Sequence, residues 1–202
     1  MRTILIIGAG KSTASLVKYL LDISKAENLQ IRLADKNKTA AVKLIDGHPN
    51  GCALGFDIFN TKQRRDEIQK ADIVVSMLPA RFHIEVAKDC LNFGKNMVTA
   101  SYVSHEMQAL NKAVEAKGLL FLNEMGVDPG IDHMSAMQVI DRIKAKGGEM
   151  ILFESFTGGL VAPESDDNLW QYKFTWNPRN VVVAGQGGAA KFIQEGKFKY
   201  IP

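Results

Sequence analysis

The chain has 202 residues, of which 46% are hydrophobic and 23% are charged, and its net charge is +3. This composition is that of an ordinary globular protein, and the single compact basic group, Arg64 and Arg65 after Lys62, falls in a predicted helix where we expect a solvated face. No apolar run approaches the roughly 20 residues of a membrane span. We therefore expect neither a nucleic-acid partner nor a membrane partner.

The two cysteines, Cys52 and Cys90, lie in apolar surroundings, which favours free thiols over a disulfide or a metal site. The opening run MRTILIIGAG is too quickly interrupted by glycine to be a signal sequence, and it is typical of a first strand. These features predict a cytoplasmic protein with no bound metal.

Short apolar runs alternate with longer amphipathic runs, the pattern of βαβ units around a parallel sheet. The predicted strands are residues 3–7, 30–34, 52–55, 73–77, 96–99 and 119–122. The predicted helices between them are residues 11–25, 39–46, 61–69, 82–93 and 104–117. Six such strands make a complete Rossmann fold, an α/β fold with a doubly wound parallel sheet.

The pattern changes after residue 132. We predict a helix at residues 133–146, a strand at 150–156 and a long loop from Thr157 to about Trp170, followed by a tail with no closing element. Residues beyond the sheet are marginal as a self-sufficient domain. We therefore expect the chain to be a fragment, with a first domain at residues 1–132 and the start of a second at 133–202.

A glycine-rich run, GAGKST, follows the first strand and predicts a dinucleotide site. Gly8 permits the tight turn and Gly10 lets the backbone approach a pyrophosphate, which the helix start at Lys11, Ser12 and Thr13 would bind. Thr13 stands where the fingerprint has its third glycine, which weakens the bare motif. The alternative is a glycine turn needed only for packing.

Asp35 ends the second strand, where a carboxylate accepts hydrogen bonds from the adenosine ribose hydroxyls. Because a carboxylate repels a 2′-phosphate, we expect NAD as the cofactor. Lys36 and Lys38 lie close in sequence and could accept a phosphate, so NADP stays open. A solvated turn residue is the alternative for Asp35.

A second motif, NEMGVDPGIDH at residues 123–133, comes just after the sixth predicted strand, at the edge where open α/β sheets bind ligands. Together with GAGKST and further segments, it resembles the glutamate-forming saccharopine dehydrogenases, also called saccharopine reductases. The further segments are VVSMLPARFHIEVAKDC, VTASYVS, GGLVAPESDDN and YKFTWNPR. The resemblance implies an NAD(P)-binding Rossmann domain, an α/β substrate domain that is incomplete at residue 202, and a homodimer of the full-length protein.

The resemblance also implies roles at the cofactor site. Asp57 and Ile58 would meet the adenine, Leu78 and Pro79 would form an apolar turn against the cofactor, and Val127 would face it from its loop. A turn cap is the alternative for Asp57, and termination of the strand is the alternative for Pro79.

On the substrate side, the resemblance places Ser101 and Tyr102 beside nicotinamide and substrate. Asp128 could receive the amine of an amino-acid substrate, and backbone N–H groups near Gly130 could bind a carboxylate. Arg179 would suit a carboxylate by bidentate pairing, with a surface ion pair as the alternative.

Three other residues near these motifs have weaker functional readings. We expect Asp132 to cap the next helix and His133 to have a role that is at least as much structural as catalytic. Thr157 stands where the family frequently has cysteine, which puts any role of that side chain in doubt.

The expected activity is oxidation or reduction of the C–N bond of saccharopine, through an imine of glutamate and aminoadipate semialdehyde. Tyr102 and Asp128 are the candidate catalytic residues for the amine proton. The alternatives are a related imine dehydrogenase such as carboxynorspermidine or lysine 6-dehydrogenase, a module that only binds the cofactor, and a Rossmann redox sensor.

Overall fold

The computed structural model describes residues 1–156, 158–159, 161–184 and 189–201. The chain forms two compact units, Met1–Thr157 and Gly158–Pro202. The strands of the first unit are β1 (Arg2–Ile7), β2 (Leu29–Asp35), β3 (Gly51–Gly55), β4 (Ile73–Ser76), β5 (Asn96–Thr99) and β6 (Phe121–Leu122). Its α-helices are α1 (Ala14–Ser24), α2 (Lys38–Ile45), α3 (Thr61–Lys70), α4 (His83–Phe93), α5 (His105–Ala109), α6 (Asn111–Ala116) and α7 (Ile131–Ala145).

The six strands form one parallel sheet in the order β3-β2-β1-β4-β5-β6. This order confirms the predicted Rossmann fold, and it places the topological switch point between β1 and β4. The carboxyl ends of these strands therefore form the edge at which a ligand is expected.

Strand β1 shows why the sheet is buried on both faces. Its side chains alternate between the faces, so Leu5 and Ile7 join one core cluster whereas Ile6 joins the other. Each of the three is at most 2% exposed. An unbroken apolar strand is therefore stable at the centre of the sheet, with helices covering both sides.

The helices of the first unit differ in several details from the sequence prediction. The single helix predicted at residues 104–117 is two short helices, α5 and α6, which meet at Leu110. Arg64 is buried rather than solvated, with 5% exposure. It is buried because Asp89 of α4 and a backbone carbonyl satisfy its guanidinium.

The strand predicted at residues 150–156 is absent. These residues have no regular secondary structure, and Ile151 and Phe156 are 95% and 87% exposed. A strand is stable only beside another strand, and none of the strands described here pairs with this segment. The apolar pattern of the sequence does not show whether a partner strand is present.

The second unit contains a short 3₁₀ turn (Pro163–Ser165), helix α8 (Pro178–Ala184) and a hairpin of β7 (Ala190–Gln194) and β8 (Lys197–Ile201). The hairpin corrects the expectation that the tail has no closing element. Glu195 and Gly196 form its two-residue turn, both with positive φ. This is the geometry of the tight turns that match strand twist.

The environment of the two cysteines agrees with the sequence prediction of free thiols. Cys90 is buried and Cys52 is half-buried, and both are free thiols. Burial raises the pKa of Cys90 to about 12, so this thiol is unreactive at neutral pH. Among the helices described, none is long and apolar enough to cross a bilayer.

Candidate cofactor and substrate site

Gly8 brings the loop after β1 against the loop after β4. Its φ is +113°, and a Cβ atom at this position would lie 2.7 Å from the carbonyl oxygen of Met77. The Gly8 N–H donates to the carbonyl of Ala34 at 2.8 Å. Packing at the switch point thus requires glycine here, whether or not a cofactor is bound.

Gly10 lies on the open side of the same loop. A Cβ atom there would have no neighbour within 4 Å, so the backbone is accessible to a ligand. The chain then forms a 3₁₀ turn, Lys11–Thr13, that leads directly into α1. This helix start offers N–H groups to a pyrophosphate, which is the arrangement that the glycine motif predicts.

Thr13 takes no part in that open surface. Its side chain is only 1% exposed, and its N–H donates to the carbonyl of Gly10 at 3.0 Å. Lys11 and Ser12 are exposed on the outer side of the turn. The Thr13 side chain is therefore packed inside the protein under the loop. Lys11 and Ser12 remain the positions at which we expect contact with a ligand.

Asp35 is fixed against the glycine loop. Its two carboxylate oxygens accept hydrogen bonds from the N–H groups of Ala9 and Asn37, each at 2.7 Å. A carboxylate has about four lone-pair sites, so Asp35 can still accept from a ribose hydroxyl. The neighbouring Lys36 forms an ion pair with Asp57, with a nitrogen–oxygen distance of 3.0 Å.

Asp57 closes the turn that follows β3. Its carboxylate accepts from the N–H of Phe59 at 3.0 Å. This hydrogen bond, together with that from Lys36, holds the pKa of Asp57 below its ordinary value. The turn-cap alternative for Asp57 is thus present in the structure, and its contact with adenine stays a prediction.

Ile58 contributes its backbone to this turn and its side chain to the core. The side chain is 9% exposed and belongs to the core cluster beside β1 and β4. Its carbonyl accepts from the Arg64 guanidinium at 2.6 Å, and the same guanidinium donates to Asp89 at 2.7 Å. Arg64, which the sequence analysis assigned to the surface, therefore holds the loop predicted to meet adenine.

Leu78 and Pro79 follow β4, which ends at Ser76, and lie beside the glycine loop. Leu78 packs against the core cluster on its side of the sheet. The Pro79 carbonyl accepts from the N–H of Phe82, which starts the 3₁₀ turn Ala80–Phe82 before α4. The strand has therefore ended before Pro79, and the contact of Leu78 and Pro79 with a cofactor stays a prediction.

The loops after β5 and β6 are hydrogen-bonded to each other. The N–H of Glu124 donates to the Ser101 carbonyl at 3.0 Å, and the N–H of Met125 donates to the Thr99 carbonyl at 3.1 Å. These bonds hold the two loops together. Tyr102 and Asp128, which are 26 positions apart in the chain, therefore lie side by side, and the Tyr102 hydroxyl donates to Asp128 at 3.0 Å.

The Tyr102–Asp128 pair joins the two candidate catalytic residues. Tyr102 is 63% exposed, and Asp128 is also exposed. The hydrogen bond to Asp128, followed by partial burial and the nearby carboxylates, raises the pKa of Tyr102 above its ordinary value. The phenol is therefore protonated at neutral pH and lies where a ligand can reach it.

The loop Gly126–Gly130 uses its own backbone donors. Gly130 has a φ of +150°, and a Cβ atom there would overlap the backbone of Gly126. The N–H groups of Gly130, Ile131 and Asp132 donate to the Asp132 carboxylate, the Gly126 carbonyl and the Val127 carbonyl. The prediction that N–H groups near Gly130 bind a substrate carboxylate is therefore not supported. Val127 is 68% exposed, as a cofactor-facing side chain would be.

Asp132 and His133 lie in the first turn of α7, which begins two residues earlier than predicted. Asp132 does not cap that helix, because its carboxylate binds the Gly130 N–H and the His133 ring at 2.7 Å. This contact raises the pKa of His133. Together with Asp128, their ligand atoms lie within 4.8 Å of one another on a partly exposed surface. The hydrogen bonds of the turn account for this proximity.

His83 is a residue of this edge that the sequence analysis missed. It is the first residue of α4 and is 3% exposed. Its ring nitrogens contact the hydroxyls of Ser76 and Ser101, each at 2.8 Å. Burial lowers its pKa to about 4, so the ring is neutral at neutral pH. The sequence does contain a histidine after β4 and serines near the ends of two strands. These residues can be recognised as a cluster only once the structure shows that the two strand ends are adjacent.

Two further residues were singled out in the sequence, Arg179 and Thr157. Arg179 is an exposed residue of α8 in the second unit, and its backbone N–H donates to the Asn177 side chain at 3.0 Å. Its pairing with a substrate carboxylate stays a prediction. Thr157 lies outside the described residues.

Comparison with known protein families matches both parts of the chain. The model of the saccharopine dehydrogenase NADP binding domain matches residues 4–122. The model of the saccharopine dehydrogenase C-terminal domain matches residues 126–202. The chain belongs to the saccharopine dehydrogenase family. The resemblance inferred from its motifs is thereby confirmed.

Members of the saccharopine dehydrogenase family with curated names resemble this chain along nearly all its length. The NADP(+)-dependent, L-glutamate-forming saccharopine dehydrogenase of Pyricularia oryzae is 36% identical over 196 residues, which cover 97% of this chain but 42% of that protein. The alpha-aminoadipic semialdehyde synthase of Arabidopsis thaliana is 34% identical over 180 residues, covering 89% of this chain and 17% of that protein.

A solved structure supports the same assignment. The apo saccharopine dehydrogenase (L-Glu forming) from Saccharomyces cerevisiae has a TM-score of 0.84 and 29% identity, and the match covers all of this chain and 44% of that one. The chain thus spans less than half the length of these relatives.

Family membership confirms a nicotinamide dinucleotide as the cofactor class. The family's first domain is described as NADP-binding, and the relative from Pyricularia oryzae carries NADP(+) in its name. The expectation of NAD from Asp35 therefore differs from the cofactor named for that relative.

Proposed function

We propose that this chain carries the cofactor-binding part of an oxidoreductase acting on the C–N bond of saccharopine in lysine metabolism. The observation that carries the proposal is the pairing of Tyr102 with Asp128 at the carboxyl ends of β5 and β6, in a sheet of Rossmann order. Relatives named saccharopine dehydrogenase support the substrate class.

The residues present fit a dinucleotide. Gly10 leaves its side of the loop open, the start of α1 offers N–H groups, and Asp35 is held beside the loop. A bound nicotinamide would supply the chemistry of hydride transfer to or from the carbon of the substrate C–N bond. The protein's own contribution is to bind and orient both molecules.

The Tyr102–Asp128 pair is suited to bind the substrate amine and to move its proton. Asp128 presents a carboxylate that can pair with a cationic amine. Tyr102, whose pKa is raised, keeps its proton at neutral pH and donates it to Asp128, so the phenol oxygen can accept a hydrogen bond from the same amine. A proton at the substrate nitrogen would thus have two adjacent oxygen partners on the protein.

We further propose that this chain prefers NAD over NADP. A 2′-phosphate on the ribose would approach the Asp35 carboxylate, which two backbone N–H groups hold in place. Lys36, the nearest cation in sequence, is paired with Asp57. NADP is the cofactor named for the relative from Pyricularia oryzae. It would be favoured here only if the attraction of Lys36 and Lys38 for the 2′-phosphate exceeds the repulsion by Asp35.

The cofactor preference can be measured by titrating NADH and NADPH separately into the chain. We expect NADH to bind about ten-fold more tightly or better, which corresponds to about 1.4 kcal/mol, and Asp35→Ser to reduce or reverse the preference. Asp22→Asn, at an exposed residue paired with Lys18, is the matched control and should change neither affinity. Tighter NADPH binding by the unchanged chain would contradict the assignment.

The activity is tested by adding saccharopine with the oxidised cofactor that binds and following the absorbance of the reduced form. Turnover that is lost in Tyr102→Phe or Asp128→Asn would support the proposed site. Turnover with another amine in place of saccharopine would indicate a related imine dehydrogenase.

A module that only binds the cofactor is the second candidate, favoured by the match of residues 4–122 to the NADP binding domain of the family. Cofactor binding without turnover would support it. Absence of binding by either nucleotide would contradict both candidates, because both require the glycine loop and Asp35.

Two further proposals concern the whole protein. A homodimer is supported by the family resemblance, and sedimentation of the full-length protein would test it. A cytoplasmic location is supported by the free thiols of Cys52 and Cys90, which suit a reducing compartment.

A further inference from the structure

His83 sits beneath the candidate site, surrounded by hydroxyl groups from the ends of two neighbouring strands. Ser76 ends β4 and Thr99 ends β5, and the two are 0% and 2% exposed. Ser101 follows β5 and is partly buried. A histidine, two serines and a threonine therefore form a mostly buried polar cluster at the edge of the sheet that faces a ligand.

Both ends of the imidazole are engaged. Nδ1 lies 2.8 Å from the Ser76 hydroxyl oxygen. Nε2 lies 2.8 Å from the Ser101 hydroxyl oxygen and 3.1 Å from that of Thr99. A neutral imidazole has one donor and one acceptor nitrogen, and a hydroxyl can serve either role. Each ring nitrogen thus has a partner in either tautomer, so the ring is held in one orientation.

Ser101 links this buried cluster to the exposed pair. Its hydroxyl contacts His83, its carbonyl accepts from the Glu124 N–H at 3.0 Å, and the next residue is Tyr102. The Tyr102 hydroxyl in turn donates to Asp128. Ser101 therefore connects the imidazole to the candidate catalytic pair, through its hydroxyl on one side and its peptide bond to Tyr102 on the other.

We propose that His83 is a positioning residue, whose imidazole fixes the Ser101 hydroxyl and thereby the loop that holds Tyr102 against Asp128. The proposal rests on the proposed function, because it assigns Ser101 and Tyr102 to the substrate side. It differs from a purely structural role for His83, in which any side chain that fills the same space would serve.

Two conservative variants separate these roles. The glutamine amide can reach the position of Nε2, so His83→Gln can keep a partner for Ser101. The asparagine amide reaches only as far as Nδ1, so His83→Asn can keep a partner for Ser76 but leaves Ser101 without one. Ser101→Ala removes the same contact from the other side and is the matched comparison.

The first readout is the nuclear magnetic resonance signal of isotope-labelled tyrosine rings, with Tyr102 assigned by its loss in Tyr102→Phe. We expect His83→Asn and Ser101→Ala to shift the Tyr102 signal and move its titration towards that of an ordinary tyrosine. His83→Gln should leave both near those of the unchanged chain. This readout requires no turnover, so it can fail independently of the proposed activity.

The second readout is turnover, where the chain shows it. We expect His83→Asn and Ser101→Ala to lower kcat about ten-fold through misplacement of the reacting groups. In His83→Asn the Kd for the reduced cofactor should stay within about two-fold of that of the unchanged chain. His83→Gln should recover most of kcat.

Equal effects of His83→Gln and His83→Asn on the Tyr102 signal would overturn the proposal in favour of a structural role. If both histidine variants fail to fold, Ser101→Ala decides alone. An unshifted Tyr102 signal in that variant would then overturn the proposal.

Discussion

At the scale of single residues, the Tyr102–Asp128 pair shows how an exposed site can have a defined protonation state. The phenol donates its proton to a carboxylate, so loss of that proton would place two negative charges side by side. Electrostatic repulsion therefore keeps the proton on the Tyr102 oxygen at neutral pH, with the Asp128 carboxylate as the acceptor of the hydrogen bond.

The first prediction concerns this pair. Asp128→Asn should lower the pKa of Tyr102 towards its ordinary value of 10.0, because the main cause that raises it is removed. The ultraviolet absorbance of tyrosinate, compared with that of Tyr102→Phe, measures the change. Asp132→Asn is the matched control with a smaller expected effect, since Asp132 acts on Tyr102 only through its charge. An equal shift in both variants would contradict the assignment.

His83 gives a second prediction at this scale. Its pKa falls from 6.5 to about 4 on burial, so between these pH values the unfolded chain binds a proton that the folded chain does not. The stabilisation is therefore complete above pH 6.5 and is lost as the pH falls towards 4. A shift of this size corresponds to roughly 3 kcal/mol.

Urea unfolding at a series of pH values, for the unchanged chain and His83→Gln, checks the second prediction. Subtracting the two curves removes the contributions of the carboxylates that both chains share. We expect the difference in unfolding free energy to shrink as the pH is lowered through this window. A constant difference would show that His83 has an ordinary pKa in the folded state.

At the scale of elements, the contact between α3 and α4 depends on a buried ion pair that also shapes the cofactor edge. Arg64 of α3 and Asp89 of α4 are 5% and 8% exposed, and the Arg64 guanidinium also binds the Ile58 carbonyl. The pair thus ties two helices on one side of the sheet to the turn after β3.

The third prediction follows from the burial of this pair. Arg64→Met or Asp89→Asn alone should lower the free energy of unfolding by about 3 kcal/mol, because each leaves a buried charge with only a more distant partner. These partners are Arg65 for Asp89, at 3.6 Å, and Glu85 for Arg64, at 3.7 Å. The double variant should cost less than the sum of the two. A double-mutant cycle in urea measures the coupling.

The exposed pair of Lys18 and Asp22, separated by 2.7 Å, is the control for the ion-pair cycle. Removing it should cost less than about 0.5 kcal/mol. Additive effects at Arg64 and Asp89 would mean that the two charges act independently.

At the scale of the whole molecule, the two units differ in how their strands are protected. Strand β1 lies at the centre of the sheet, with Leu5 and Ile6 fully buried. Every residue of β7 and β8 is exposed, and a two-stranded hairpin is marginally stable by itself.

The fourth prediction is therefore a large difference in amide hydrogen exchange. We expect the amides of β1, β2 and β4 to exchange slowest, at rates set by global unfolding, and those of β7 and β8 to exchange orders of magnitude faster. Exchange followed residue by residue at neutral pH measures both. Equal protection of the hairpin and the central strands would contradict this expectation.

Much of the site could be predicted from sequence because its residues follow strand ends in a sheet of known order. Gly10, Asp35, Tyr102 and Asp128 were all found in this way, since the carboxyl ends of parallel strands meet at one edge. The contacts of His83 and Arg64 could not be predicted, because their partners come from elements distant in the chain.

The sequence by itself determined the Rossmann sheet, the dinucleotide loop and the family, because these depend on local periodicity and on motifs of neighbouring residues. Only the tertiary structure decided what depends on contacts between distant segments. These are the pairing of Tyr102 with Asp128, the burial of His83 and Arg64, and the failure of residues 150–156 to form a strand. The physical reason is the same in each case, since a hydrogen bond, a buried charge or a strand is stable only when its partner is present.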